Sequence, residues 1–176
     1  MKRLFPTFLL VVVCLAVPAW AADEAVSVGY GIAALNPNLH FGKILGGRYY
    51  DFSQFTYLLE RTCKDYPPLA VFIEPFGSYV NRPNPGADAG FYAGLRYRLY
   101  GTEKKGFFFT AGTGMVYTTE HFKEQGTHLD FTLEAGVGYR WGSFFIEDRL
   151  RHYSNGGTAS PNISVDANVL SVGFYF

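Results

Sequence analysis

Cysteine is nearly absent from this chain. The two cysteines are Cys14 and Cys63, and Cys14 lies in an N-terminal apolar run that we expect to be removed. One remaining thiol cannot form an intramolecular disulfide. The stability of the mature domain must therefore come from its fold, and Cys63 is expected to be a free thiol in a turn.

The chain also lacks an excess of charge of either sign. It carries 15 basic and 15 acidic residues, whereas nucleic-acid-binding domains usually have a basic face. A nucleic-acid partner is therefore not expected. Three of the four histidines are scattered along the chain, at His40, His121 and His128, so the sequence offers no cluster of metal ligands. We therefore expect no metal and no other cofactor.

No apolar run reaches the roughly 20 residues that a transmembrane helix needs. The run from Phe8 to Val17 follows a positively charged start and precedes Ala19-Trp20-Ala21, which fits the small-x-small rule of signal-peptide cleavage. We therefore predict a signal peptide at residues 1–21, cleaved after Ala21, and a single exported domain at residues 22–176.

Glycine and aromatic residues are abundant, with 20 Gly, 13 Tyr and 17 Phe. Several segments alternate apolar residues with polar or small ones and are separated by turn residues, which predicts β-strands. The second of these segments alternates least clearly. Eight strands are predicted in this way: 25–34, 49–61, 69–81, 87–100, 107–121, 127–139, 143–154 and 166–176.

Alternation alone does not say which face of a barrel points outward. A soluble barrel keeps its apolar residues inside, whereas an outer-membrane barrel turns them toward lipid. The export signal favours the second arrangement, and so does the final Phe174-Tyr175-Phe176, which resembles the recognition signal of bacterial outer-membrane barrels. Aromatic residues near strand ends fit the membrane girdles of such barrels: Tyr97, Tyr100, Tyr139, Trp141 and Tyr175.

We therefore predict an all-β fold, an eight-stranded antiparallel transmembrane β-barrel of the bacterial outer membrane. Its interior is expected to be filled by charged and polar side chains rather than open as a pore. With an even number of strands, both termini lie on the periplasmic side. The seventh strand then runs outward and ends near the outer leaflet.

The end of this seventh strand carries a candidate catalytic group. Its odd-numbered residues are largely charged and belong inside, whereas its even-numbered residues are mostly apolar and belong against lipid. His152 and Ser154 lie on the even face, about 7 Å apart along the strand. Asp166, at the start of the eighth strand, is predicted on the same outer face.

These three residue types can perform nucleophilic catalysis. Serine attacks a carbonyl once a base removes its proton, and an acid can orient the histidine that acts as this base. Asn155 and the backbone amides of Gly156 and Gly157, just after the serine, are candidate donors to the oxyanion of the tetrahedral intermediate. A histidine and a serine two residues apart are common by chance, so the pair alone does not establish a site.

The run His-Tyr-Ser-Asn-Gly-Gly, followed by Pro161-Asn162 and an acid, resembles the lipid A 3-O-deacylase (PagL-type) family. The resemblance is close over the C-terminal 25 residues, from His152 onward, and looser elsewhere, where it rests on length, the export signal and the glycine-rich segment 111–114. It implies a serine esterase that removes the ester-linked 3-hydroxyacyl chain at position 3 of lipid A.

The resemblance also implies roles for individual residues. His152 would be the base, Ser154 the nucleophile and Asn155 an oxyanion contributor. The acid of the family is a glutamate, and Asp166, one methylene shorter, occupies its place. The expected substrate is lipid A of lipopolysaccharide, which the outer face would meet laterally among the outer-membrane lipids.

Two other functions remain open on the sequence. The chain could be a non-catalytic outer-membrane barrel with a structural or adhesive role, in which the three residues coincide by chance. It could also be a lipid A acyltransferase, which would need an acyl-donor pocket inside the barrel. The sequence does not determine the acyl-chain preference, the regulation or the oligomeric state, for which a homodimer is one possibility.

Overall fold

The structure, a computed structural model, describes residues 23–34, 49–99, 104–120 and 124–176. Its eight strands form one closed antiparallel barrel, in which each strand pairs with its neighbour in sequence and the last pairs with the first. The predicted fold class is confirmed. The strands are β1 Asp23–Ala34, β2 Tyr49–Thr62, β3 Leu69–Arg82, β4 Gly86–Arg98, β5 Lys105–Thr118, β6 Leu129–Trp141, β7 Phe144–Ser154 and β8 Val165–Tyr175.

Some predicted features lie outside these described residues. They are the signal peptide with its cleavage after Ala21, and the predicted strand ends at Tyr100 and His121. Within the described ranges, no helix is long and apolar enough to cross a membrane. Cys63 is a free thiol in the connection between β2 and β3, as expected.

The turn between β6 and β7 is shorter than predicted. Arg140 and Trp141 were expected to turn, but both belong to β6 and pair with Phe145 and Phe144 of β7. The chain reverses instead at Gly142, whose φ of 66° lies in the left-handed region that favours glycine. A two-residue connection of this kind keeps the strands paired up to the turn itself.

The two faces of the barrel divide as the alternation predicts. Large apolar side chains point outward along every strand, among them Val28, Phe55, Leu133 and Leu150. Apart from Asp148, which is exposed on the outer face, the charged side chains of β4 and β6 and the carboxylates and guanidinium groups of β7 point inward and are buried or nearly so. An outer-membrane barrel has this arrangement, because apolar side chains are favourable on the surface that faces the hydrocarbon.

Hydrogen-bonded pairs of charged side chains fill the barrel interior. Arg96 contacts Glu60 and Glu147, with an Nη2–Oε2 distance of 3.2 Å to Glu147. Arg149 lies 2.8 Å from carboxylate oxygens of both Glu74 and Glu147. Further inward charges and amides join the same network: Glu134 and Gln54, which contact Arg151.

Aromatic rings share this interior, which the sequence did not predict. The guanidinium carbon of Arg96 lies 4.4 Å from the ring centre of Phe108, and that of Arg151 lies 4.4 Å from the ring centre of Tyr92. Cations and ring faces attract one another, so rings can replace some of the polar partners. The weak alternation of β2 has the same origin, because Tyr50 and Phe52 point inward beside its polar residues.

Tyr175 was expected in the outer aromatic girdle, and this expectation is wrong. The side chain is 5% exposed and points into the barrel. Its hydroxyl donates to Glu60 over 2.9 Å and also contacts Arg96. Residues of β8 with odd numbers face inward, and Tyr175 follows that pattern although its ring is amphipathic.

Candidate active site

The face of β7 that points away from the barrel carries His152 and Ser154. Their neighbours Arg151 and Tyr153 are each 1% exposed and lie in the interior. The side chains of His152 and Ser154 therefore project outward, because successive residues of a strand point to opposite faces. The His152 side chain is 42% exposed, and both residues lie at the rim where β7 ends.

Asp166 lies directly opposite His152 in the antiparallel pairing of β7 with β8. Side chains in such a pair start roughly 5 Å apart. The Nδ1 atom of His152 and the Oδ1 atom of Asp166 are 2.7 Å apart, so the short acid reaches the imidazole without any shift of the backbone. The Asp166 side chain is 73% exposed, and the pair therefore lies on the surface rather than in a closed pocket.

The hydroxyl of Ser154 is held by the loop that follows it. It donates to Oδ1 of Asn162 over 3.2 Å and accepts from the backbone amide of Gly156 over 3.2 Å. Within the described residues, His152 and Ser154 make no hydrogen bond to each other. Rotation about the Cβ–Oγ bond redirects the hydrogen but not the oxygen, so an approach of Ser154 Oγ to His152 requires rotation about the Cα–Cβ bond to another rotamer.

Asn155 and Gly157, the expected oxyanion donors, are bound within the loop. Asn155 is fully buried, and its Nδ2 donates to carbonyl oxygens of Gln125, Ala159 and Pro161 over 2.5, 3.1 and 3.0 Å. The amide of Gly157 donates to Oδ1 of Asn155 over 2.8 Å. The amide of Gly156 is the backbone donor that meets Ser154 Oγ.

Two residues that contact the site had no predicted role. Asn162 was noted only as part of the Pro-Asn motif, and its Oδ1 lies against both the Ser154 hydroxyl and the Asn155 amide. Gln125 comes from the loop between β5 and β6, and its side chain binds residues that follow it by 28 to 38 positions in the sequence. No local pattern in the sequence could have signalled such a contact.

The surroundings of the site on the outer face are apolar. Leu133 of β6 lies opposite His152, and Phe131 lies opposite Ser154; both are exposed. A lipid that carries an ester can therefore reach the site from the side, with its acyl chain along this surface. Within the described ranges, no group of three or more potential ligands could hold a metal ion.

Comparisons with known proteins agree with this fold. The family model of lipid A 3-O-deacylase (PagL) matches residues 69–175. The crystal structure of the outer membrane enzyme PagL matches with a TM-score of 0.63 at 17% identity, over 87% of this chain and 99% of that one. The Yersinia pestis outer membrane protein Ail in a phospholipid bilayer nanodisc matches with a TM-score of 0.51 at 12% identity, over 89% and 100%. No curated protein matches the chain.

At such identities the two solved structures show the fold alone. The family match is more informative, because it spans the chain from the start of β3 to the end of β8 and includes every residue of the candidate site. It covers more than half of the sequence, and with the barrel fold it points to the outer membrane. The chain therefore belongs to the lipid A 3-O-deacylase (PagL) family.

Proposed function

We propose that this chain is a serine esterase that removes the ester-linked 3-hydroxyacyl chain at position 3 of lipid A. Ser154 is the nucleophile, His152 the base and Asp166 the acid. One observation carries the proposal: the 2.7 Å contact between His152 Nδ1 and Asp166 Oδ1, on the strand face that also carries Ser154. Family membership supplies the substrate class.

The contact with Asp166 determines the tautomer of His152. With Nδ1–H donating to the carboxylate, Nε2 carries the lone pair and can accept a proton. The Ser154 hydroxyl turns from Asn162 to Nε2, and its oxygen attacks the ester carbonyl as the proton passes to the histidine. Asp166 stabilises the imidazolium that forms.

The negative charge on the carbonyl oxygen needs hydrogen-bond donors beside Ser154. The Gly156 amide is one, because it already contacts Ser154 Oγ. The Nδ2 group of Asn162 is the second, because its Oδ1 atom is the one bound by Ser154 and Asn155. Asn155 and Gly157 hold the loop in shape. Their hydrogen-bond donors already bind other groups of the loops, so they are not the donors to the oxyanion.

The reaction then completes in two steps. His152 returns its proton to the departing sugar oxygen, which breaks the ester and leaves the acyl chain on Ser154. A water molecule, deprotonated by His152, attacks this acyl-enzyme and releases the 3-hydroxy fatty acid, while Ser154 regains its proton. Water is available, because both His152 and Asp166 are partly exposed at the rim.

The filled interior favours hydrolysis over acyl transfer from a pocket inside the barrel. Arg96, Arg149 and Arg151 and the carboxylates that they bind occupy the space that an internal acyl donor would need. A substrate bound at the outer face remains open to water at the rim. Lateral access from the outer leaflet is therefore part of the proposal.

Mass spectrometry of lipid A from cells that express the chain tests this function. We expect the loss of one 3-hydroxyacyl chain, and we expect Ser154→Ala to abolish the loss. Ser53→Ala is the matched control, because Ser53 is an exposed serine on the outer face of β2, away from the site. Unchanged lipid A with folded wild-type protein in the membrane would refute the proposal and favour a structural or adhesive barrel.

We also propose that the chain is exported by residues 1–21 and functions as a single barrel domain of residues 22–176. The charged start, apolar run and small-x-small motif support this cleavage site. Intact-mass measurement of the protein purified from outer membranes should give a mature chain that begins at Ala22. A chain that retains Met1 would refute it.

A further inference from the structure

Gln125 is a fully buried amide in a loop at the rim of the barrel. It belongs to the connection between β5 and β6, residues 119–128, and is 0% exposed. A buried amide is unfavourable unless its donors and acceptor are satisfied. All the partners of the Gln125 side chain lie on the chain segment that carries Ser154, or on the far limb of the loop after it.

Two of these partners flank Ser154 directly. Oε1 of Gln125 accepts from the backbone amide of Asn155 over 2.9 Å, and Nε2 donates to the carbonyl oxygen of Tyr153 over 3.3 Å. In an extended chain, the C=O of one residue and the N–H of the residue two positions on point to the same side. The side-chain amide of Gln125 therefore binds the backbone on both sides of Ser154, as the N–H and C=O of one residue in a neighbouring strand can do.

The pairing of β7 with β6 does not reach Asn155. The pairing of β6 with β7 ends at Phe131 opposite Ser154. Beyond that pair, the backbone around Ser154 has no partner from β6, and its polar groups would need another one. Oε1 of Gln125 supplies an acceptor for the amide of Asn155, the residue that follows the end of β7.

The same side chain ties the far limb of the loop to the near one. Nε2 of Gln125 also donates to the carbonyl oxygen of Ile163 over 2.6 Å. The Ile163 amide donates to the carbonyl oxygen of Glu124 over 2.8 Å. Asn162, which binds the Ser154 hydroxyl, is adjacent to Ile163, so Gln125 determines how close Asn162 lies to Ser154.

Close packing of the two loops leaves little freedom. A Cβ atom on Gly126 would lie 2.6 Å from the carbonyl oxygen of Ser160, and the φ of Gly126 is 64°. Asn155 adds a bond in the reverse direction, from its Nδ2 to the carbonyl oxygen of Gln125. Gln125 itself lies behind the strand and is bound to backbone groups, so it does not touch the reacting atoms.

We propose that Gln125 is a positioning residue for the esterase reaction. Through Tyr153, Asn155 and Ile163 it fixes Ser154 Oγ, the Gly156 amide and Asn162 relative to the His152–Asp166 pair. This inference rests on the proposed function. It assigns the loop between β5 and β6 a direct part in the chemistry of β7.

The test replaces Gln125 by residues of similar size that cannot make these bonds. Gln125→Met removes all of them, and Gln125→Glu keeps the acceptor for Asn155 but cannot donate to Tyr153 or Ile163. Both full-length variants are purified in detergent, checked for the heat-dependent gel mobility of a folded barrel, and assayed with lipid A. A displacement of about 1 Å can reduce the rate roughly 10²-fold, so we expect kcat to fall by about that factor with KM within twofold.

A second readout does not depend on lipid A. An alkyl fluorophosphonate reacts with activated serines, and its labelling rate at Ser154 should fall in parallel with kcat. Gln54→Met is the matched control, because Gln54 is the buried glutamine of β2 that binds Arg151 inside the barrel. It should lower stability and leave kcat and labelling unchanged.

The outcomes separate the two proposals. Folded Gln125 variants with wild-type kcat and labelling rate would refute the positioning role and leave the esterase function intact. A wild type that is labelled at Ser154 but spares lipid A would refute the substrate, and slower labelling of the variants would still support the positioning role. A folded wild type that is not labelled at all would refute both. If Gln125→Met does not fold, Gln125→Glu supplies the comparison.

Discussion

At the scale of single residues, the site depends on the position of Asp166 rather than on its length. The family resemblance placed a glutamate there, and the shorter aspartate left its role open. Direct cross-strand pairing with His152 explains how the shorter acid reaches the imidazole. The carboxylate remains mostly exposed, so its effect on the imidazolium is weaker than in a buried pair.

Asp166→Asn should therefore lower kcat without abolishing it. In a buried triad, the same change costs about 10⁴-fold, and the exposure of Asp166 reduces this to roughly 10²-fold. Asp166→Glu is the matched variant and should retain activity within about tenfold, because it keeps the charge. Steady-state assays of the folded variants measure both values. Equal activity of Asp166→Asn and the wild type would remove Asp166 from the mechanism.

Asn162 has two proposed functions that one substitution can separate. Asn162→Asp keeps an acceptor for the Ser154 hydroxyl but removes the donor and adds a negative charge beside the oxyanion. Loss of one oxyanion donor costs roughly 10²- to 10³-fold in kcat, so we expect at least this loss for Asn162→Asp and a similar loss for Asn162→Ala. Wild-type kcat in the two variants would show that the oxyanion donor lies elsewhere.

At the scale of elements, strand spacing depends on glycines that face backbone. Gly94 of β4 and Gly112 of β5 lie opposite each other. A Cβ atom on Gly94 would lie 2.3 Å from the carbonyl oxygen of Ala111 and 2.7 Å from Cα of Gly112. Because backbone cannot rotate away, a methyl group there would push β4 and β5 apart.

Gly94→Ala should accordingly destabilise the barrel by about 1–3 kcal/mol, as overpacking does in well-packed interiors. Gly77→Ala is the control, because a Cβ atom on Gly77 would meet nothing closer than the Asp88 carbonyl oxygen at 4.0 Å. It should be neutral or slightly stabilising. Urea titrations followed by gel mobility measure the free energy of unfolding. Equal stability of the two variants would contradict this account of the β4–β5 contact.

At the scale of the whole molecule, the barrel is a shell of lipid-facing apolar residues around a charged core. Glu147 lies near the centre of this core. It accepts from Arg149 over 2.8 Å, from Arg96 over 3.2 Å and from Thr110 over 2.5 Å. The carboxylate therefore compensates two buried guanidinium groups that come from different strands.

Glu147→Gln should reduce the free energy of unfolding by about 3 kcal/mol. Breaking a buried ion pair costs 3–5 kcal/mol, and the lower end applies because Arg96 keeps Glu60 and Arg149 keeps Glu74. The control is Asp148→Asn, the next residue along β7, which points outward. Neutralising that carboxylate should not destabilise the barrel in lipid. The opposite ranking in denaturant titrations would contradict the assignment of inner and outer faces.

Most of this fold was predictable from the sequence. Eight strands and their inner and outer faces follow from a period of two, because every strand has one face toward an apolar environment and the other toward a polar one. The pattern failed where an aromatic ring takes the place of a polar group inside, as at Tyr50, Phe52 and Tyr175. The period of two reports only whether a residue is apolar or polar. An aromatic residue can lie on either face, because its ring can bind a guanidinium group and a tyrosine hydroxyl can donate a hydrogen bond.

The site divides in the same way between local pattern and tertiary contact. The sequence by itself determined the common face of His152 and Ser154 and, through parity, that of Asp166, because these follow from strand alternation and short connections. Only the tertiary structure decided that Asp166 lies directly opposite His152, that Asn162 holds the Ser154 hydroxyl, and that Gln125 binds the backbone on both sides of Ser154. These contacts depend on strand register and on the packing of two loops, and neither is encoded in the residues adjacent to the serine.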